Sequence, residues 1–435
     1  MKFYSTKNKS HPVTFREAVM NGIPDDGGLY MPQYVPRVSG AFLPSIASYE
    51  FQEIAYIVAQ QYIDDIPDNN LQSIIQRAIN FDAPLVQVTH NISILELFHG
   101  PTLAFKDFGA RFLANIMAHY MQNENKELII LVATSGDTGS AVAHGFYDIE
   151  GIKVLLLYPS KKVSWIQEQQ LTTMNRNIYA FEVQGTFDDC QQLVKRAFLD
   201  TELKKRFYLS SANSINIARL LPQSFYYFYA YAQLPDKSNT IIISVPSGNF
   251  GNLTAGLLAK NMGLPVDVFI AAVNKNDIFP VYLKTGKFVP KAAVKTLSNA
   301  MDVGNPSNFY RIVSLYENNI EHIRRVVHSE SISDEQTKAG IREVYNKYNY
   351  IIDPHGAVAY VAMKNYSKMK KQEGVFILLE TAHPAKFYDI VNETLKIEVQ
   401  IPHGLSVVLN KRKESIEISS EFVQFKSYIL DQFSK

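Results

Sequence analysis

The chain has 435 residues, with 43 lysines and arginines against 42 aspartates and glutamates, a net charge of +1. That balance builds no whole-molecule field to draw in nucleic acid or an anionic membrane surface. With one cysteine, Cys190, no intramolecular disulfide can form, and at roughly 100–200 residues per domain the length allows two to four units with a large apolar core.

Met1 to Val13 is polar and lacks the apolar centre of a secretory signal. No apolar run reaches the ~18 residues that suggest a membrane span. A cytosolic protein is the expectation. Thr14 to Val19 fits a capping-box helix start, with Thr14 as cap and Glu17 three residues on. Asp26-Gly27-Gly28 reads as a turn, and Ser48–Ile63 and Leu71–Ile79 read as amphipathic helices.

From about residue 84 the pattern becomes strand, turn, helix, repeated. Leu128–Val132 is an apolar strand, followed by Thr134-Ser135-Gly136-Asp137-Thr138-Gly139 and a helix over Ser140–Tyr147. Val154–Leu157 is another strand, with a helix through Gln170. Cys190 falls on a later helix. Asp188 and Asp189 have the wrong sign to activate its thiol, so it reads as a small apolar residue. Phe225–Tyr231 reads as a buried aromatic helix. Thr240–Val245 precedes Pro246-Ser247-Gly248-Asn249-Phe250-Gly251 and a helix to Asn261; Val266–Val273 and Val375–Leu379 are further strands. Continuous apolar strands alternating with helices predict an α/β fold with parallel sheets covered on both faces. In the tail, Phe422, Phe425, Ile429 and Phe433 form a stripe at helical spacing, expected to pack back on the body.

The two Ser-Gly-(Asp/Asn) junctions are suited to anions. Glycine lets the backbone approach a ligand closely, and the helix that follows aims free N–H groups and its positive end into the same space. A plain turn with a helix cap is the competing reading for each. Neither is a dinucleotide or nucleotide loop, since both Gly-x-Gly-x-x-Gly and Gly-x-x-x-x-Gly-Lys-(Ser/Thr) are missing.

Lys106 follows Leu103-Ala104-Phe105 at the first turn of a helix running through Tyr120. Apolar surroundings and the positive helix end both disfavour its ammonium form. A free amine is what bonding to an aldehyde requires; a lysine snorkelling from an apolar patch is the bland alternative. Asp107-Phe108-Gly109 copies the metal-binding triplet of kinases, but no His-Arg-Asp loop or Ala-Pro-Glu accompanies it. The ten histidines carry no metal-ligand spacing, so no metal is expected, and His99, His355 and His383 read as structural.

Phe98-His99-Gly100-Pro101-Thr102-Leu103-Ala104-Phe105-Lys106-Asp107 resembles the cofactor-lysine motif of the threonine synthase family. Asp26 to Tyr30, Ala133 to Gly139, Asn213 to Arg219, Val245 to Gly251, Leu297 to Asp302 and Thr381 to Phe387 resemble further blocks of that family, in its order. The resemblance implies two α/β domains of the tryptophan-synthase β type (fold type II) with pyridoxal 5′-phosphate between them and an N-terminal, mainly helical unit. The expected divisions are 1–80 for that unit, 81–225 for the lysine half with the smaller α/β domain, 226–403 for the larger domain with the phosphate loop, and 404–435 for a tail with a helix. It further implies conversion of O-phospho-L-homoserine and water to L-threonine and phosphate, by a monomer or homodimer.

By the same resemblance Lys106 would hold the cofactor and then act as the catalytic base. Gly248, Asn249, Phe250 and Gly251 would hold the cofactor phosphate, Asp137 would lie near the ring oxygen, and Thr381 would face the ring nitrogen. Thr134, Ser135, Thr138, Asn213 and Arg219 would receive the substrate's carboxylate and phosphate. Two positions depart from the pattern: Glu380 stands where many relatives carry a small residue, and Gly356 where a larger one is expected. In a strand Glu380 would face away from the ring, with little effect. A phospholyase or β-replacement enzyme using the same cofactor, and a non-catalytic binder of phosphorylated metabolites, are the competing functions.

Overall fold

The computed structural model describes residues 1–122, 124, 126–134, 136–371 and 373–433. Ser135, expected at the substrate site, therefore lies outside the described residues.

The N-terminal unit contributes a short antiparallel pair, β1 (Phe3–Ser5) and β2 (Tyr30–Pro32), and helices Phe15–Asn21, Phe51–Ala59 and Asp68–Ala78. Thr14 closes the expected capping box with Glu17. Its apolar faces are buried in the same core that covers the lysine helix. Phe51 lies 5.8 Å from Phe108 and stacks on Tyr229 at 4.3 Å between ring centroids. The helix Phe225–Ala232 is buried as its aromatic run predicts.

The remaining strands are β3 (Leu85–Gln87), β4 (Ile92–Glu96), β5 (Leu128–Ala133), β6 (Ile152–Pro159), β7 (Ile178–Gln184), β8 (Tyr208–Ser211) and β9 (Ile241–Pro246). They continue with β10 (Val268–Val273), β11 (Val327–Ser331), β12 (Val375–Glu380) and β13 (Ile416–Ser419). One sheet has the order β11-β10-β9-β12-β4-β3 and the other β13-β7-β6-β5-β8. All pairings in both are parallel except β3 with β4. β5 and β9 are buried along their whole length, as strands covered on both faces must be.

These ladders redraw two expected boundaries. β3 and β4 fall within 81–225, yet they pair into the larger sheet through β12. β13 belongs to the tail, yet it extends the smaller sheet along β7. Strand partners distant in the chain are invisible to a linear reading. The helix Phe422–Phe433 then seals that edge, with Phe425 edge-on to Phe181 at 5.3 Å.

Both sheets reverse strand order at one place. In the smaller sheet the chain runs β5, β6, β7 outward and returns to place β8 on the other side of β5. In the larger sheet β12 inserts between β9 and β4. Crevices outside the carboxyl ends of strands at such reversals are where α/β sheets bind ligands. The chain leaves β5 at Thr134, β8 at Ala212, β9 at Ser247 and β12 at Thr381, so both glycine loops and the expected substrate residues emerge there.

Candidate active site

Lys106 begins the helix Lys106–Met121. The approach to it is pinned. Thr102 donates through its backbone N–H and its hydroxyl to the buried carboxylate of Asp107, at 2.9 and 2.7 Å. Leu103 adopts a left-handed backbone with φ of 58°, a conformation a leucine keeps only where the surroundings impose it. The Thr381 carbonyl accepts the Phe105 N–H at 2.9 Å, and the Leu103 carbonyl accepts the His383 N–H at 3.0 Å. Lys106 thus lies along the segment that leaves β12. Phe108, one turn into the helix, is wedged against Phe51, Phe81 and Tyr226, and holds that helix to the N-terminal unit.

The Lys106 side chain is 17% exposed, with its ammonium 3.7 Å from Asp137. Burial lowers its pKa; Asp137 opposes this, while Lys386 and Arg219 reinforce it. Asp137 opens the helix Asp137–Phe146, three residues earlier than the expected Ser140. Its carboxylate accepts from Lys386 at 2.8 Å and from the Gln167 amide at 3.1 Å. Burial alone would raise its pKa, but the Lys386 and Lys106 charges outweigh it and hold the carboxyl well below the usual range.

Lys386 is the functional residue the sequence reading missed. Its side chain is fully buried, and its ammonium also donates to the Thr102 carbonyl at 2.9 Å. It sat in the Thr381-to-Phe387 block without a role. A charged residue between Ala385 and Phe387, both buried, was the available signal. Gln167 carried no signal at all, because only the fold brings its helix, Trp165–Thr172, over the loop.

Around this centre stand the remaining candidates. The Thr134 hydroxyl accepts from the N–H groups of Gly136 and Gly139, at 3.1 and 2.9 Å, and so braces the first loop. Asn213 donates to the Ala133 carbonyl at 3.2 Å, joining the ends of β5 and β8. Arg219 is 4% exposed and donates to the Ala212 carbonyl. Its Nε is buried without a partner among the described residues, and burial pushes its pKa down to about 10. Thr381 is buried.

The second loop is held from both sides. Asn249 donates to the Ser214 hydroxyl at 2.6 Å and accepts the Ser307 N–H at 2.6 Å. Phe250 takes a left-handed backbone, φ 58°, immediately before the helix Gly251–Asn261. A Cβ on Gly248 would stand 2.6 Å from Met301 Cα, so only glycine passes beneath that turn. The backbone N–H groups of Gly248 to Gly251 find no acceptor among the described residues. Unpaired N–H donors at a helix start fit a phosphate. The buried amine and the partnerless guanidinium nitrogen fit an aldehyde and an anionic substrate.

His383 caps the short helical turn Pro384–Phe387 by accepting the Ala385 N–H at 3.1 Å. Cys190 is buried, and burial pushes its thiol up to about 12. No helix among the described residues is long and apolar enough to cross a membrane.

Known proteins resemble the chain over its whole length. The profile of pyridoxal-phosphate dependent enzymes matches residues 82–380, that of the threonine synthase N terminus residues 2–79, and that of the threonine synthase C-terminal region residues 356–429. The chain is 43% identical over 433 residues to a threonine synthase of Serratia marcescens, covering 99% of each chain. It superposes on the crystal structure of threonine synthase from Escherichia coli with a TM-score of 0.91 at 41% identity, covering 99% of this chain and 100% of that one. On the pyridoxal-phosphate-bound threonine synthase from Brucella melitensis the TM-score is 0.94 at 32% identity, covering 100% of both. The cofactor is pyridoxal phosphate, the fold is of type II, and the chain belongs to the threonine synthase family.

Proposed function

We propose that this chain acts in the cytoplasm, as a monomer or homodimer, on O-phospho-L-homoserine, yielding L-threonine and phosphate with uptake of water. The observation that carries this reading is the buried Lys106 amine, 3.7 Å from Asp137, together with a second glycine loop whose N–H groups find no acceptor among the described residues.

When bound, pyridoxal phosphate supplies the electron sink that lets protons leave the carbons beside the substrate's amino group. The chain's own groups do the rest. Lys106 holds the cofactor aldehyde and then moves protons on one face of the substrate; burial favours the free amine that both tasks need. The N–H groups of Gly248, Asn249, Phe250 and Gly251 hold the cofactor phosphate. With the cofactor bound, Asp137 would lie near the ring oxygen and the Thr381 hydroxyl would face the ring nitrogen. Thr134, Ser135, Thr138, Asn213 and Arg219 take the substrate's carboxylate and phosphate. The Arg219 fork suits phosphate oxygens, and a preorganised donor cluster stabilises the charge on a leaving phosphate.

Lys106→Ala is expected to shift the visible absorbance of the loaded protein to that of free pyridoxal phosphate and to cut phosphate release by roughly 10³-fold or more. Normal turnover in that variant would end the assignment. Product analysis with O-phospho-L-homoserine separates the alternatives: threonine supports the proposal, a 2-oxo acid with ammonia supports a phospholyase, and binding without any product supports a non-catalytic binder.

A further inference from the structure

Glu380 and Gly356 meet in the fold. Glu380 ends β12 immediately before Thr381 and is fully buried. Its Oε1 accepts the Asp353 N–H at 2.7 Å. A Cβ on residue 356 would overlap Glu380 Oε2, and would stand 2.8 Å from its Cδ and 2.7 Å from Ile352 Cγ1. Glycine at 356 is what makes room for the glutamate. Two buried carboxyl oxygens, Glu380 Oε2 and Asp353 Oδ2, have no other donor among the described residues. Neighbouring carboxyl groups shielded from water do not both ionise near neutral pH.

We propose that Glu380 and Asp353 share one proton, carried on Glu380, and that this pair positions the walls of the active site. Asp353 caps the helix Pro354–Lys370, and its Oδ1 accepts the His355 N–H at 2.5 Å and meets His355 Nδ1 at 2.6 Å. His355 Nε2 accepts the Ala300 N–H at 3.3 Å, which assigns the ring proton to Nδ1. Ala300 and Met301 form the turn that covers Gly248. The pair therefore ties the Thr381 end of β12 to the turn over the phosphate loop, through one chain of hydrogen bonds.

Burial, then the Asp353 carboxylate, raise the Glu380 pKa well above the usual range. Glu96 on β4 adds to this, and Tyr350 faces both Glu96 and Glu380. Lys106 and His383 also feel the charge of Asp353. Because the folded value is raised, the stabilisation is complete below the ordinary glutamate value of about 4.3. It is lost as pH rises through the raised value.

The positioning role rests on the reading of Thr381 as the residue facing the ring; the shared proton does not, and its test reads protonation rather than turnover. Infrared spectra of the loaded protein at about pH 8 should contain a carboxylic-acid carbonyl band that disappears in Glu380→Gln. Asp353→Asn, which keeps Glu380 but removes its partner, should shift that band rather than abolish it, and serves should the first variant fail to fold. Urea midpoints of wild type and Glu380→Gln should agree at about pH 4, with wild type falling behind as pH rises. Gly356→Ala should lower the melting temperature, and adding Glu380→Ala should recover most of the loss. For the positioning role, Glu380→Gln should keep the cofactor's visible spectrum while Glu380→Ala shifts it. Absence of the band difference, or parallel pH profiles, overturns the shared proton. Identical spectra in Gln and Ala overturn the positioning role. A protein that shows the band yet makes no threonine would refute the reaction and leave the pair standing.

Discussion

Lys106 and Lys386 sit on opposite sides of one carboxylate, and their environments give them opposite tasks. Lys386 is fully buried and bonded to Asp137 and to the Thr102 carbonyl, so its charge is structural. Lys106 lies farther from Asp137 and feels the repulsion of both Lys386 and Arg219. Its depressed value means that the native state binds fewer protons than the unfolded one between that value and the ordinary lysine value of about 10.4, so this term raises stability with pH there. The rate at which cofactor-free protein captures pyridoxal phosphate should accordingly rise with an inflection below that ordinary value. An inflection at it would mean that the amine is unperturbed. Asp137, also depressed, acts in the same sense over a lower pH range: its stabilisation is present above the ordinary aspartate value of about 3.9 and is lost as pH falls through its depressed value. Lys386→Met should leave that carboxylate short of its main partner and cost about 3–5 kcal/mol in urea denaturation. Arg219→Lys keeps the charge and removes the fork. At about 1.5–3 kcal/mol for a charge-assisted hydrogen bond, kcat/KM for O-phospho-L-homoserine should fall roughly 10–100-fold, and an unchanged value would exclude Arg219 from the substrate's anions.

At the level of elements, much of the site's precision comes from the segments between strands and helices. Leu103 and Phe250 both adopt left-handed backbones, one just before Lys106 and one at the start of the phosphate-loop helix. Such strain persists where packing over-determines it, and here Phe250 is packed 4.7 Å from Phe279 while Leu103 is bonded across to His383. The two glycine junctions and the lysine peptide were legible because they are local: an apolar strand, a turn that demands glycine, and a helix start are written in consecutive residues. The tail was legible as a stripe but not as to its partner. Phe425 is fully buried against Phe181 of β7, and β13 covers what would otherwise be a bare parallel edge. Phe425→Ala should cost about 3–5 kcal/mol, measured by urea denaturation, with the cofactor spectrum unchanged because Phe425 packs on Phe181 of β7 and not on the lysine helix.

For the whole molecule, the decisive feature is that both sheets reverse strand order at their ligand-facing ends, so residues from β5, β8, β9 and β12 converge. A ligand held between the two units stabilises the folded state alone. At one hundred times its dissociation constant the gain is about 2.7 kcal/mol. Stripping the cofactor should therefore lower the melting temperature, and restoring it to Lys106→Ala should recover much less than in wild type. Equal recovery would show that the lysine contributes nothing to holding it.

By itself the sequence determined the parallel α/β class, the two glycine junctions with a helix starting at each, and the buried aromatic helix, because each is encoded by neighbours in the chain through burial periodicity and turn chemistry. Tertiary structure alone decided which strands pair. It inserted β12 between β9 and β4, carried Lys386 to Asp137, laid Gln167 across the first loop, and fitted Glu380 into the space Gly356 leaves open. Those pairings join residues far apart in the chain, and the burial that shifts their proton affinities exists only once the sheets have closed around them.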